Sequence, residues 1–217
     1  MLSTEYPCVY GSLPGSFEEF VRLVPSRNRR NVLRQGDRQL RAVYDNVTYE
    51  ECAHEDQIDE FIDWLARLNI GRRQREGTVS TWAEPETVAC RKEIAKAFLA
   101  RGWLRLEMLR CNNEPIAARM GFAYKGTYFA YNQGFREDHA GFRPGHLLIA
   151  RRIALSISEG VRAFSFGPGD RTYKREYFAE AAPELALTIL PQGGRARVTE
   201  TGMLFLRSLK RWRGEPV

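Results

Sequence analysis

The sequence is poor in the residues that build metal centres. It has four cysteines and three histidines in 217 residues. Cys8, Cys52, Cys90 and Cys111 are scattered and form no Cys-x-x-Cys pair. That spacing argues against a zinc cluster and fits reduced thiols, so no metal is expected. Long apolar runs are missing too, and nothing approaches the roughly 20 residues needed to span a bilayer. Met1 to Pro14 lacks the basic and apolar regions of a secretion signal, which makes the cytoplasm the expected compartment. With no internal repeat, low-complexity tract or linker, the expectation is one α/β domain over residues 1–217.

What is present is positive charge. The net charge is +6 and the pI is about 9.3. A basic surface favours acidic partners, among them coenzyme A, nucleotides, anionic glycans, nucleic acid and membrane surfaces. Charge alone does not choose among these.

The hydrophobic pattern orders the elements. Ser16 and Glu19 predict a capping box that opens a short helix, and a second helix is expected from Ser26 to about Gln39. Leu40 to Val47 has the β-branched and aromatic content of a strand. Ile58, Phe61, Ile62, Leu65 and Leu68 follow an amphipathic helical spacing. The basic stretch at Arg72, Arg73 and Arg75 is expected to lead into a loop. Another helix should open at Pro85 and stop at Gly102, with Ile94 and Phe98 on its buried side.

Leu104, Leu106 and Met108 then alternate with Arg105 and Glu107, as in a half-buried strand. Turns at Asn112-Asn113 and Lys125-Gly126 predict three antiparallel strands in a row. A helix opened by Pro144 and ended by Gly160 is expected next, buried along Leu147, Ala150, Ala154 and Ile157. It is followed by a short strand over Val161–Phe166 and a helix from Arg171 to Phe178. A strand over Leu185–Leu190 and a terminal helix over Glu200–Trp212 complete the expectation.

Residues 121–178 hold the chemistry. A right-handed crossover makes the strands at Thr127–Asn132 and Val161–Phe166 parallel neighbours. Ligands of such sheets bind at the carboxyl ends of the strands. Exposed N–H groups around Gly145, His146 and Leu147 would attract a pyrophosphate, with Arg143 as a charged donor beside them. The plainer reading makes Arg143-Pro144-Gly145 only the start of a helix. After the second strand come Asp170, Tyr173 and Lys174, an acid, a phenol and an amine close together. Here too the plain reading is structural, with Asp170 as an N-cap paired to Lys174.

The segment Phe164-Ser165-Phe166-Gly167-Pro168-Gly169-Asp170-Arg171-Thr172-Tyr173-Lys174-Arg175-Glu176-Tyr177-Phe178 resembles the FDF-x-x-GDE-x-YK…F signature of CelD-like acetyltransferases. Tyr131 to Phe135, Pro144 to Leu148 and the arginine-rich Ser26 to Asn31 are similar to further stretches of that family, within the GNAT superfamily. The resemblance implies the GNAT acyl-CoA N-acyltransferase fold, a mixed, mostly antiparallel sheet flanked by helices with a β-α-β CoA-binding core. It also implies acetyl-CoA or another acyl-CoA as donor, wedged beside Tyr131, Asn132 and Gln133, whereas the phosphate contacts at Arg143, Pro144, Gly145, His146 and Leu147 are expected from their placement at the helix start.

On the same resemblance, Asp170 is the general base or substrate orienter, its acidity set by Lys174. Tyr173 protonates the departing thiolate, and Lys174 alternatively holds an anionic group of the acceptor. The acceptor would be a small molecule or glycan of polysaccharide or cell-envelope synthesis. The related FemABX transferases, with the same fold, use aminoacyl-tRNA as donor. Ser165 and Arg171 stand where the family commonly has acidic residues, and the Arg/Gln-x-x-Gly-x-Gly/Ala phosphate loop of the wider superfamily is missing. The resemblance implies that the chain corresponds to the later half of longer family members.

Other functional classes remain open at this stage. Arg27, Arg30, Arg34, Arg38 and Arg41 share a helix face that suits nucleic acid, although no aromatics interleave them and a solvated flank is the favoured reading. Phe205, Leu209 and Trp212 with nearby cations suit peripheral contact with an anionic membrane. A non-catalytic assembly module is the remaining alternative.

Overall fold

Two pairs of left-handed residues fix the centre of the sheet. Asn112 and Asn113 have φ of 48° and 68°, and Lys125 and Gly126 have 47° and 77°. Two-residue hairpin turns need such angles because they match the twist of the flanking strands. The structure, a computed structural model, describes residues 2–188, with side chains from 7 to 182. The chain falls into a larger unit, residues 7–182, and a smaller one of residues 1–6 and 183–217.

In chain order the elements are β1 (Leu2–Ser12), α1 (Phe17–Leu23), α2 (Arg27–Arg41), β2 (Val47–Glu51), α3 (Ile58–Arg75), α4 (Pro85–Leu99), β3 (Leu104–Cys111), β4 (Glu114–Tyr124), β5 (Thr127–Phe135), α5 (Pro144–Ser158), β6 (Ala163–Pro168), α6 (Thr172–Arg175) and β7 (Ala181–Thr188). The sheet order is β2-β3-β4-β5-β6-β1-β7. β2, β3, β4 and β5 pair antiparallel in succession. The crossover through α5 makes β5 and β6 parallel, as the right-handed rule requires. The sheet is a mixed one of seven strands flanked by helices, the architecture that the resemblance implies.

Helices cover both faces. On one, Leu106, Met108, Ala118 and Met120 pack with Ile62, Leu65, Leu68 and Ala95 of α3 and α4. On the other, Leu33, Ile149 and Ile153 of α2 and α5 pack with Tyr128, Phe164 and Phe166, and Leu109 and Ala117 pack with Leu147 and Leu148. Burying each large side chain contributes about 1.5–3 kcal/mol.

Several local expectations change, the first because helices cover both faces of the sheet. β3 does not alternate: Glu107 is buried along with Leu106 and Met108. Burial pushes its carboxyl up to about 7, against the pull of Arg152 and Arg119. Leu40 belongs to the end of α2 and is wholly buried from there, so the expected strand starts only at Val47. On α4 the buried side carries Arg91 and Ala95, with Phe98 half-buried, whereas Ile94 is exposed. Arg72, Arg73 and Arg75 lie in the last turn of α3 rather than in a loop. α6 spans only four residues. Ser16 accepts from Glu19 N at 3.2 Å, which is half of the expected capping box. β7 begins at Ala181, and the helix expected at 200–212 lies outside the described residues.

No helix among the described residues is long and apolar enough to cross a membrane. The arginine stripe on α2 is partly occupied: Arg30 donates to the carbonyls of Val24 and Pro25, and Arg41 to Asp37 and the Val47 carbonyl.

α3 approaches β5 most tightly at Gly134, where a Cβ would sit 2.6 Å from the backbone of Leu68 and Asn69. Backbone cannot move aside as a flexible side chain can, so Gly134→Ala should lower stability by about 1–3 kcal/mol in urea unfolding. An unchanged midpoint would contradict this packing.

Candidate active site

β5 and β6 part company. They pair through Thr127↔Ala163, Tyr128↔Phe164 and Phe129↔Ser165. Beyond Phe129, β5 follows β4 as far as Phe135. β6 instead leans towards β1, where Gly169 N donates to Pro7 O at 2.8 Å. A register slip opposite Met120 and Gly121 leaves Tyr131 as the extra residue of a bulge. Bulges interrupt pairing and redirect side chains. The result is a cleft at the carboxyl ends of two parallel strands, where open sheets of this kind bind ligands.

The expected residues divide between two parts of this cleft. A cavity of about 190 Å³ is lined by Tyr131, Asn132 and Gln133 from β5, by Phe166, Tyr173 and Lys174 from the β6 side, and by Arg72, Arg73, Arg119 and Arg171. Arg143, Pro144, Gly145 and His146 line a second cavity of about 280 Å³ with Asn28, Arg29 and Gln133. Gln133 borders both, and a third space bordered by Gln133, His146 and Tyr173 lies between them. Leu147 is buried and packs against the apolar core instead.

The expected Asp170–Lys174 pair does not form. Lys174 is buried, and its Nζ donates to the carbonyls of Gly167 and Pro168 at 2.9 and 2.7 Å. A buried ammonium needs polar partners, and the carbonyls of the turn after β6 supply them. Asp170 is gripped by Arg175 at 2.5 and 2.9 Å. That hydrogen-bonded pairing holds its carboxyl below the ordinary value. It does not cap α6 either, because Arg171 is the N-cap residue. Burial raises the phenol of Tyr173, opposed by Arg119, Arg72 and Arg171, so it stays protonated at neutral pH.

The start of α5 offers fewer donors than expected. Arg143 takes a left-handed conformation with φ 55°. Its carbonyl accepts from His146 N at 2.9 Å and from Leu147 N at 3.3 Å. Pro144 has no N–H, so Gly145 supplies the first-turn N–H that no bond within the helix uses. Arg143 Nη1 donates to Asn28 Oδ1 at 3.2 Å.

The missed residue is Arg29. It is buried, pairs with Glu176 through Nε and Nη2, and lies over the Tyr177 ring at 5.2 Å. Its Nη1 is buried without a hydrogen-bond partner among the described residues. Arg29 falls in step with Val32, Leu33, Gly36 and Leu40 on the buried stripe of α2, but an arginine in that step is told from its exposed neighbours only by its burial.

The comparisons follow this geometry. A family model described as "Acetyltransferase (GNAT) domain" matches residues 27–175. The chain therefore belongs to the GNAT acetyltransferase-domain family and carries a transferase domain. Among solved structures it is similar to FemX, with a TM-score of 0.62 at 10% identity, covering 83% of this chain and 59% of that one. A conserved protein of unknown function from Bacteroides thetaiotaomicron gives a TM-score of 0.53 at 16% identity, covering 82% and 58%.

The C-terminal domain of an Agrobacterium fabrum protein described as a lysylphosphatidylglycerol synthetase gives 0.54 at 13% identity, covering 94% and 66%. At such identities these likenesses show the fold alone. The chain spans about three fifths of the length of the first two. No curated protein matches the sequence.

His146 Nδ1 lies 2.9 Å from Tyr177 Oη. Burial, helped by Arg29 and Arg143, lowers its imidazole to about 3. Between the ordinary 6.5 and this value, the unfolded chain binds a proton that the folded chain refuses. This contribution to stability is complete above pH 6.5 and is lost as pH falls towards 3. Its slope is about 1.4 kcal/mol per pH unit. His146→Gln should flatten the stability profile between pH 6 and 4, measured by urea titration at each pH. A parallel profile would contradict the burial of a neutral imidazole.

Proposed function

We propose that this chain transfers an acyl group from an acyl-CoA thioester, acetyl-CoA in the simplest case, to an amine or hydroxyl of a sugar or cell-envelope precursor. The divergence of β5 and β6 carries the reading, because it leaves a slot with unpaired strand edge on one side and cations at its end. The donor's phosphates are matched by Arg143, by the N–H of Gly145 and above all by Arg29, whose buried Nη1 lacks a hydrogen-bond partner among the described residues. A buried N–H left without a partner is costly, and an anion in that cavity would offset the cost. Pro144 and His146 shape the wall of that cavity.

The thioester supplies an activated acyl carbon and a thiolate leaving group. The chain's own part is to orient and to move protons. The bulge takes Tyr131 out of the ladder, so its backbone N–H is the one to face a developing oxyanion, while the Gln133 N–H donates to Asn132 Oδ1 at 2.9 Å. Asn69 fixes that stretch, donating to Asn132 Oδ1 at 2.7 Å and to Gln133 O at 3.3 Å. As the new C–N or C–O bond forms and the C–S bond breaks, Tyr173, protonated at neutral pH, donates to the departing sulfur and is restored by the proton that the acceptor's nitrogen or oxygen gives up. Asp170, held ionised by Arg175, orients the acceptor and is too acidic to be an effective base. Lys174 positions the turn between β6 and α6. The resemblance to CelD-like proteins supports the sugar or envelope acceptor.

Calorimetric titration with acetyl-CoA, with desulfo-CoA and ATP as controls, tests the donor. Saturable binding should weaken roughly 10-fold in Arg143→Ala, the loss of one charge-assisted contact. Failure of every CoA species to bind would sink the CoA reading and direct the search to aminoacyl-tRNA donors. With an accepted amine in hand, Tyr173→Phe should lower kcat by roughly 100-fold with KM little changed, followed by thiol release. Full turnover would remove Tyr173 from the proton path.

A further inference from the structure

The first cavity contains a cation that the donor does not explain. Arg119 is 2% exposed, and its Nε and Nη1 are buried without a hydrogen-bond partner among the described residues. Its guanidinium lies over the rings of Tyr128 and Phe164 at 5.3 and 5.7 Å. Rings of this kind hold the charge but leave its N–H groups unused. Glu107 stands opposite Arg119 in the β3–β4 ladder, yet the ion pair of Glu107 is with Arg152, at 3.6 Å.

The same cavity is bordered by Arg72, Arg73, Arg171 and Lys174 and by no carboxylate. Arg72 Nε is buried without a hydrogen-bond partner among the described residues, although Glu76 stands 3.8 Å away as its ion-pair partner. A buried guanidinium with unused N–H groups at the border of a cavity matches a planar or tetrahedral oxyanion. The Arg29–Arg143 cavity is a separate space at the start of α5.

We propose that Arg119, with Arg72 and Arg171, binds a phosphate or carboxylate group carried by the acceptor, so the acceptor is an anionic amine or alcohol. This rests on the acyltransferase reading and adds the acceptor's chemical class. Anchoring the acceptor by its anion leaves its nucleophile to be presented beside Tyr131 and Tyr173, and it selects against neutral sugars, which leave the buried N–H groups unpaired.

The test uses the full chain saturated with desulfo-CoA, titrated with inorganic phosphate and, separately, with N-acetylglycine, following thermal unfolding and calorimetry. At least one probe should bind saturably, phosphate indicating a phosphorylated acceptor and N-acetylglycine a carboxylated one. Arg119→Lys, which keeps the charge but loses the fork, should weaken that binding roughly 10-fold or more. Arg171→Ala, an exposed change that spares folding, should weaken it at least 3-fold, and desulfo-CoA affinity should change less than 2-fold in both.

Binding of neither anion, or binding that both variants retain in full, overturns the proposal. So does binding lost only in Arg143→Ala, which would place the anion at the start of α5. If desulfo-CoA itself does not bind, the donor reading fails separately. The anion titrations without it still decide the role of Arg119.

Discussion

The site depends on one constraint: two parallel strands that pair for three residues and then follow different neighbours. β5 is tied to β4 to its end, and the chain after β6 is drawn to β1 through Gly169 and Pro7. Neither strand can close the gap without giving up a ladder on its other side. The slot is therefore kept open by backbone hydrogen bonds, which are costly to leave unmade. α3 adds a second brace, because Gly134 lets its backbone come close and Asn69 ties Asn132 and Gln133 in place.

Around that slot the chain places positive charge in two ways. Some cations have partners: Arg175 pairs with Asp170, Arg152 with Glu51, Glu107 and Glu159, and Lys174 donates to turn carbonyls. Others keep buried N–H groups without hydrogen-bond partners among the described residues, Arg29 at one end and Arg72 and Arg119 at the other. Such groups are unfavourable in isolation, so these are the positions where a bound anion would add stability. The neutral His146 lies between Arg29 and Arg143 and is kept uncharged by burial and by those two cations.

Much of the frame was legible in the sequence. Asn112-Asn113 and Lys125-Gly126 announced the hairpins, and the change of period after Gly102 announced the sheet. The crossover from Thr127–Asn132 to Val161–Phe166 predicted the parallel pair and thus the location of the cleft. What stayed hidden depended on contacts distant in the chain. Alternation in β3 suggested an exposed Glu107, because a sequence does not show that helices cover both faces. Asp170 and Lys174 stand four apart and suggested a pair. The pairing failed because Lys174 turned inward to carbonyls and Arg175 was free to take Asp170. Arg29 and Arg119 looked like any other arginine in a basic chain, and only burial singles them out.

Hydrogen–deuterium exchange with and without acetyl-CoA tests the central claim most directly, since it reads the strand edges themselves. The account predicts slower exchange in two separate segments, residues 130–135 of β5 and residues 143–147 at the start of α5, with β2 and β3 unchanged. Protection confined to other elements, or none at saturating acetyl-CoA, would contradict a donor site between the diverging strands.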